Sequence, residues 1–176
     1  MFFFITLLLF PFVFSLSAVN ELKEDYYLGH WYQVYGAPLD YIIQGNGKCI
    51  TADYSALPDN KISVLNKEIT QKGEPQSIEG YAYLKNVSEP GEFTVHFDTG
   101  SGDAPYWVIM LGPEIDNQYA YSIVSEPNAF FMWVLVRDVE DFYNTYDEEV
   151  KEFLKENNFK YNEVSQQDCP TNYLYK

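Results

Sequence analysis

From residue 19 to residue 137, short runs rich in Val, Ile, Tyr and Phe alternate with turn-forming sequences. In chain order, the turn sequences are PLDYIIQGNGK, LPDNK, QKGEPQ, VSEPGE, DTGSGDAP, GPEIDNQ and SEPN. Regular alternation of this kind is typical of an antiparallel meander, which closes as either a sandwich or an up-and-down barrel. We therefore expect an all-β protein.

The runs between the turns predict eight β-strands. They cover residues 29–37, 49–57, 61–70, 77–85, 92–98, 106–111, 119–125 and 129–137. The sequence contains 16 Tyr, 13 Phe and 3 Trp, a content of aromatic residues that suits strands and that disordered chains lack. Eight strands suit a closed barrel that holds one small ligand.

A helix is predicted directly after the eighth strand, with Asp138 as its N-cap. Apolar residues then follow the spacing of one helical face, and most of the positions between them are polar or charged. The apolar positions are Val139, Phe142, Tyr143, Tyr146, Val150, Phe153 and Leu154. The eighth strand is apolar on both faces, as expected for a strand that lies between the barrel interior and a covering helix. We therefore expect the helix to pack against the outside of the sheet.

Residues 1–14 are almost entirely apolar and are followed by the small-residue sequence SLSA. This combination predicts a signal peptide over residues 1–18 and leaves residues 19–176 as one domain of a secreted, extracellular protein. The first residues contain no Lys or Arg, so a membrane anchor is the alternative interpretation. No cysteine directly follows the predicted cleavage site, which argues against a bacterial-type lipid anchor at that end.

The formal net charge of −15, from 26 acidic and 11 basic residues, argues against one class of partner. Binding to nucleic acid or to an anionic membrane requires clustered Lys and Arg, which this sequence lacks. We expect no nucleic-acid partner and no stable membrane insertion, and we attribute the acidity to solubility.

The sequence contains two cysteines, Cys49 and Cys169, which lie 120 residues apart. Two cysteines in an exported chain usually form a disulfide, and this one would join the C-terminal tail to the body of the domain. The alternative is that Cys49 is a nucleophilic thiol. The two histidines of the sequence are His30 and His96, and no motif links either of them to Cys49. We therefore predict a disulfide and no catalytic residue.

Several motifs together resemble the lipocalin family. They are the G-x-W sequence of Gly29 and Trp31, the sequence FFMWVLVRD that contains Arg137, the amphipathic helix that follows it, and the late Cys169. The resemblance extends over nearly all of residues 19–176 and includes GKCITADYS, KISVLN, IEGYA, NVSEP, APYWVI and DCP. It implies an eight-stranded antiparallel up-and-down barrel with one C-terminal α-helix packed on the outside.

The resemblance assigns structural roles to three residues. In lipocalins, the tryptophan of the first strand closes the barrel floor and an arginine at the end of the last strand lies across its ring, and Trp31 and Arg137 match these positions. A cation over an indole face in a poorly hydrated place contributes about 1 to 2 kcal/mol. Gly29 lets the entering chain pass close beneath the barrel. The family's usual T-D-Y sequence before the seventh strand is replaced by GPEID, which predicts a differently built turn.

Ten residues are predicted to line a ligand cavity. The resemblance supplies Tyr54, Tyr106 and Trp133, which match cavity residues of the family. Period-two alternation supplies the others, because a position for Arg137 beneath the floor puts its own face of the last strand inside. The full set is Tyr54, Phe93, Val95, Phe97, Tyr106, Val108, Met110, Phe131, Trp133 and Leu135. The alternative is that these side chains simply fill the barrel. We expect no charged side chain in this interior, no metal site and no cofactor.

Two loops carry further predictions. The first long loop contains Tyr41, Ile42 and Ile43, which form either a lid over the ligand or an exposed patch in transient contact with a membrane, a lipoprotein or a partner. Asn86 begins the glycosylation sequon Asn-Val-Ser in a hairpin loop at the closed end of the barrel.

The sequence therefore predicts extracellular binding and transport of a small hydrophobic ligand. A lipid, a fatty acid, a sterol, a retinoid or a bilin would satisfy the pattern equally, and the sequence indicates no oligomeric state. One alternative is a lipocalin-type isomerase or de-epoxidase, which requires a reactive thiol or an acid and a base that the predicted interior lacks. The other alternative is an interaction protein with a filled barrel.

Overall fold

Eight antiparallel strands form a closed barrel in the computed structural model, which describes residues 16–40, 46–99 and 102–170. The barrel strands are β1 (Gly29–Gly36), β2 (Lys48–Leu57), β3 (Lys61–Ile69), β4 (Pro75–Leu84), β5 (Glu92–Phe97), β6 (Asp103–Leu111), β9 (Tyr121–Ser125) and β10 (Met132–Val136). The first strand pairs with the last, with Tyr32 opposite Val136, and this pairing closes the barrel. The predicted fold is confirmed, and each predicted strand boundary lies within three residues of the observed one.

Three short strands accompany the barrel. β7 (Glu114–Ile115) and β8 (Gln118–Tyr119) form a hairpin within and after the GPEID sequence, and β11 (Asn162–Glu163) pairs with β1 after the helices. Because neighbouring strands are antiparallel, their connections alternate between two ends of the barrel. The β7–β8 hairpin lies at the closed end, whereas the connections after β1, β3, β5 and β9 surround the open end.

The predicted single helix is two helices in the structure. After the short α1 (Glu24–Tyr27) before the barrel, α2 (Val139–Thr145) and α3 (Asp147–Glu156) follow the last strand. Asp138 caps α2 as predicted, because its carboxylate accepts a hydrogen bond from the backbone N–H of Asp141. The break accompanies two contacts with the barrel wall, where Tyr146 packs on Tyr121 and the first residue of α3 accepts a hydrogen bond from a wall tyrosine. Within the described ranges, no helix is both long and apolar enough to cross a membrane.

Two layers of apolar side chains line the two faces of the sheet. The outer layer lies between the barrel wall and the helices, and includes Val34, Tyr35, Ile123, Met132, Val134, Val136, Phe142, Val150 and Leu154. The inner layer fills the lower barrel, and includes Trp31, Tyr54, Val64, Phe93, Val108, Val124 and Leu135. Burial on both faces explains why β10 reads as a continuous apolar run.

A β-bulge in β6 corrects one prediction. Val108 pairs with Val124, but the next pair joins Met110 to Ile123, so Ile109 is the extra residue of the bulge. The extra residue reverses the alternation of side chains beyond it. Ile109 and Met110 therefore both contact the outer layer, and the placement of Met110 inside the cavity is wrong.

The disulfide between Cys49 and Cys169 is confirmed. It joins β2 to the C-terminal tail, and both thiols of the sequence are consumed by it. The side-chain amide of Gln166 holds the same tail, because it donates to the backbone carbonyls of Gln33 at 2.7 Å and Ile50 at 2.9 Å. The interpretation of Cys49 as a nucleophilic thiol is therefore excluded.

Candidate ligand-binding cavity

The floor of the barrel is built by a cation over an indole ring. Trp31 is 0 % exposed, and the guanidinium carbon of Arg137 lies 3.6 Å from its ring centroid. The backbone of Gly29 has a φ of +99°, and a Cβ atom there would stand 3.3 Å from Nη1 of Arg137. Glycine thus gives the chain both the conformation and the clearance that it needs beneath the guanidinium.

The guanidinium of Arg137 also ties the entering chain to the barrel. Nη1 donates to the carbonyl of His30 at 2.6 Å, and Nη2 lies 2.7 Å from the carbonyl of Leu28 and 3.1 Å from that of Tyr26. Burial lowers the pKa of Arg137 to about 10, so the side chain is still a cation at neutral pH. The predicted structural role of these floor residues matches this geometry.

Directly above the floor, three tyrosines and a serine form a hydroxyl cluster. The hydroxyl of Tyr106 lies 2.8 Å from that of Tyr27 and 3.1 Å from that of Tyr54, and Tyr27 lies 3.1 Å from the hydroxyl of Ser122. Burial raises the pKa of Tyr27 to about 12, and it also raises the pKa of Tyr54 and of Tyr106. The cluster therefore presents neutral hydroxyl groups to the space above it.

A cavity of about 690 Å³ opens above this cluster and extends to the open end of the barrel. Eight of the ten residues predicted to line a cavity lie in its wall, namely Tyr54, Phe93, Val95, Phe97, Tyr106, Phe131, Trp133 and Leu135. The rings of Phe131 and Trp133 stack with an interplanar angle of 8° and form an aromatic surface along one side. A volume in this range suits one small organic molecule.

The comparisons with known proteins agree on this architecture. The family model described as a lipocalin-like domain matches residues 22–166. The chain belongs to the lipocalin family. Apolipoprotein D from Macaca fascicularis is 35 % identical to this lipocalin over 157 residues, which cover 86 % of this chain and 80 % of the relative.

Two further similarities extend the comparison. The outer membrane lipoprotein Blc of Vibrio cholerae is 35 % identical over 125 residues, which cover 70 % of this lipocalin and 69 % of the relative. The structure of H1 crustacyanin from the lobster Homarus americanus superposes with a TM-score of 0.63 and 19 % sequence identity, and covers 89 % of this chain and 84 % of that one. At that identity the crustacyanin similarity supports the fold alone.

Two predicted cavity residues do not line the cavity of this lipocalin. Val108 faces inward but lies in the packed core, where it is fully buried. Met110 lies on the outside of the barrel, as the bulge in β6 requires. The wall of the cavity also contains residues that the sequence analysis missed, chiefly on β2, β3 and β4: Ile50, Ala52, Ile62, Val64, Asn66, Glu68, Gln76, Ile78 and Ala82. Period-two counting outward from Tyr54 would have found the members on β2 and β3.

The expectation of an uncharged interior is wrong at the open end. The carboxylates of Glu68 and Glu126 both lie in the cavity wall. Glu126 holds the β9–β10 loop, because it accepts hydrogen bonds from the backbone N–H groups of Asn128 and Phe130, each at 2.6 Å. The carboxylate of Glu68 lies against Gly47, where it leaves no room for an added Cβ, and burial raises the pKa of Glu68.

Asp40 anchors the start of the first open-end loop. Asp40 is buried, with 4 % of the residue exposed, and its Oδ2 atom accepts a hydrogen bond from the backbone N–H of Ala37 at 2.9 Å. Oδ1 has no hydrogen-bond partner among the described residues. Burial raises the pKa of Asp40 to about 7. The next residues, Tyr41, Ile42 and Ile43, lie outside the described residues, so both interpretations of them remain predictions.

The predicted glycosylation site lies on an exposed turn at the closed end. The side-chain oxygen of Asn86 accepts a hydrogen bond from the backbone N–H of Ser88 at 3.0 Å, and Val87 between them is 83 % exposed. The turn is far from the cavity mouth, so a glycan on Asn86 would leave the mouth unobstructed. In the part of the chain that the structure describes, no group of three His, Cys, Asp or Glu side chains is placed to hold a metal ion.

Proposed function

We propose that this lipocalin binds and carries a small hydrophobic molecule outside the cell. The observation that carries the proposal is the cavity of about 690 Å³, whose wall is mainly aromatic and aliphatic and whose base presents neutral hydroxyls. Each methylene group that such a wall removes from water contributes about 0.8 kcal/mol. After the cost of association, a ligand with a dozen buried methylenes reaches a dissociation constant of roughly micromolar to nanomolar.

The proposal places the mature protein in the extracellular space. Its support is the predicted signal peptide over residues 1–18 and the disulfide, since such bonds persist in oxidising compartments.

We propose binding rather than catalysis. The cavity wall contains no histidine and no thiol among the residues that the structure describes, and the carboxylate of Glu126 is bound by backbone N–H groups. Burial raises the pKa of Tyr27 and Tyr54, so their hydroxyls stay protonated at neutral pH and hold no lone phenolate to act as a base. An isomerase or de-epoxidase would need an acid and a base placed together on the ligand. The other carboxylate of the described wall, that of Glu68, lies toward the open end, four residues beyond the Val64 that pairs with Tyr54 at the base.

Mass spectrometry of organic extracts from the folded protein tests the proposal directly. We expect a hydrophobic molecule at close to one equivalent, or saturable binding of added hydrophobic probes to emptied protein. Ala82→Phe should abolish the binding, because Ala82 lies in the cavity wall and a phenyl ring there fills the space. The matched control is Tyr81→Phe on the outward-facing neighbour, whose ring stacks on His96. A protein that yields no extract and binds no probe would have a filled barrel.

A further inference from the structure

The basic and acidic side chains of the cavity wall differ in the direction they face, and this difference bears on which ligands the cavity favours. Three described wall residues carry charge, namely Lys67, Glu68 and Glu126. On β3, Asn66 and Glu68 share the inward face with Val64, so Lys67 between them faces outward. There the ammonium of Lys67 lies 3.1 Å from the outward-facing carboxylate of Asp53. The other two charged residues of the described wall, Glu68 and Glu126, are both acidic.

A buried amide oxygen without a hydrogen-bond partner lies on the same strand face as Glu68. Asn66 lies opposite Ala52. This pair is two residues nearer to the open end than the pair of Tyr54 and Val64. Its Oδ1 atom is buried and has no hydrogen-bond partner in the described part of the chain. A buried acceptor without a donor is unfavourable, so this oxygen favours a ligand that brings a hydrogen-bond donor.

Two further lysines of the described open end lie on its exposed surface. Lys48 donates to the backbone carbonyl of Gln167 at 3.5 Å on the exposed side of the barrel, and Lys72 lies in the exposed turn after β3. In the sequence, residues 41–45 contain no Lys, Arg or His. A carboxylate ligand would therefore lose its hydration beside like charges, whereas a donor group would be favoured there.

We propose that the ligand is an amphiphile whose polar end is a hydrogen-bond donor, an alcohol or an amine, and that carboxylate amphiphiles are disfavoured. This inference rests on the proposed function and narrows it. The apolar body of the ligand lies against Trp133 and the tyrosine cluster, and the donor lies between Asn66 and Glu68 near the mouth. A fatty acid, a sterol and a retinoid satisfy the sequence pattern equally, whereas this proposal favours sterol-like and retinol-like alcohols over fatty acids.

The test compares three ligands of one chain length: dodecan-1-ol, dodecylamine and dodecanoic acid. Binding to the emptied full-length protein is measured by calorimetry at pH 7.5 and 0.15 M salt, where the acid is ionised. We expect the alcohol and the amine to bind at least tenfold more tightly than the acid. The two donor ligands are then distinguished by charge, since the amine alone gains from the carboxylate of Glu68.

Two variants and a control locate the effect. Glu68→Gln should weaken the amine several-fold and narrow the difference between alcohol and acid, and Asn66→Leu should weaken the alcohol several-fold. Glu74→Gln removes a carboxylate from the exposed turn after β3 and should change none of the three affinities.

The wild-type comparison remains decisive if a variant fails to fold. Equal or tighter binding of dodecanoic acid would overturn the inference but leave the proposed function intact. Binding of none of the three ligands, with no hydrophobic molecule in the extract, would overturn both.

Discussion

Replacing Arg137 by alanine should destabilise the barrel by about 3 to 4 kcal/mol without emptying the cavity. The cation over Trp31 contributes about 1 to 2 kcal/mol in this poorly hydrated position. The two shortest hydrogen bonds, to the carbonyls of His30 and Leu28, contribute about 1 kcal/mol each after exchange with water. Nη2 also lies 3.2 Å from the carbonyl of Tyr27, but this contact adds little, since that carbonyl accepts from the indole N–H of Trp31 at 2.8 Å.

Urea unfolding of four proteins measures this loss. Arg137→Lys keeps the charge but not the forked donor geometry, so it should lose about half as much as Arg137→Ala. Lys155→Ala, on the exposed face of α3, is the control for removal of a basic residue and should change stability by less than about 0.5 kcal/mol.

The ligand affinity of Arg137→Ala, measured well below its melting temperature, should be unchanged, because Trp31 and the hydroxyl cluster separate Arg137 from the cavity. A loss below about 1 kcal/mol would refute the energetic argument for the floor. Unchanged stability with a large loss of affinity would show that Arg137 contacts the ligand instead.

Three other perturbations have defined outcomes. Trp133→Phe should remove most of the ligand-induced fluorescence change, since Trp31 forms the floor below the hydroxyl cluster and Trp107 packs on the outer layer; a full change in the variant would place Trp133 outside the cavity. Cys169→Ser should lower the free energy of unfolding by about 4 to 5 kcal/mol, because the native disulfide closes a loop of 120 residues, and a loss under 1 kcal/mol by urea unfolding would contradict the chain-entropy argument. Asp40, with its pKa raised to about 7 from 3.8, binds a proton more tightly in the folded than in the unfolded state. Stability should therefore fall as pH rises from about 4 to 7, and unfolding at pH 5 and pH 8 should show a decrease about 2 to 4 kcal/mol larger in wild type than in Asp40→Asn, whereas equal decreases would refute the raised pKa.

Sequence alternation predicts the inner faces of the regular strands well. Phe93, Val95 and Phe97 on β5, and Trp133 and Leu135 near the end of the chain's last barrel strand, lie in the cavity wall where period two puts them. Neither of these two strands contains an inserted residue, so one known residue orients all the others along each strand.

The same alternation fails where pairing with a neighbour inserts a residue. Met110 is displaced by the bulge at Ile109, and the bulge depends on how β6 pairs with β9, which the local sequence does not specify. The break between α2 and α3 at Tyr146 also depends on contacts with the rest of the fold. The apolar helical spacing continues through Tyr146 without a break signal, and Tyr146 packs on the barrel wall there.

The charged mouth of the cavity was missed for a different reason. A glutamate on a strand ordinarily faces solvent, so its residue type alone does not indicate that Glu68 lies in the cavity wall. Its position is nevertheless encoded, because it follows Val64 and Asn66 at steps of two along β3. Lys67 faces outward although it is only 7 % exposed, which shows that burial alone does not identify an interior residue.

Arg137 is the single arginine of the 176-residue sequence, and the floor covers it. An arginine-selective dicarbonyl reagent such as phenylglyoxal therefore has one target in this protein, and it reacts when the guanidinium leaves the ring of Trp31 and its carbonyl acceptors. The labelling rate under native conditions, relative to the rate for the unfolded chain, measures how often the closed end opens. Comparison of that opening free energy with the global free energy of unfolding would show whether the closed end opens by itself or only when the whole barrel unfolds.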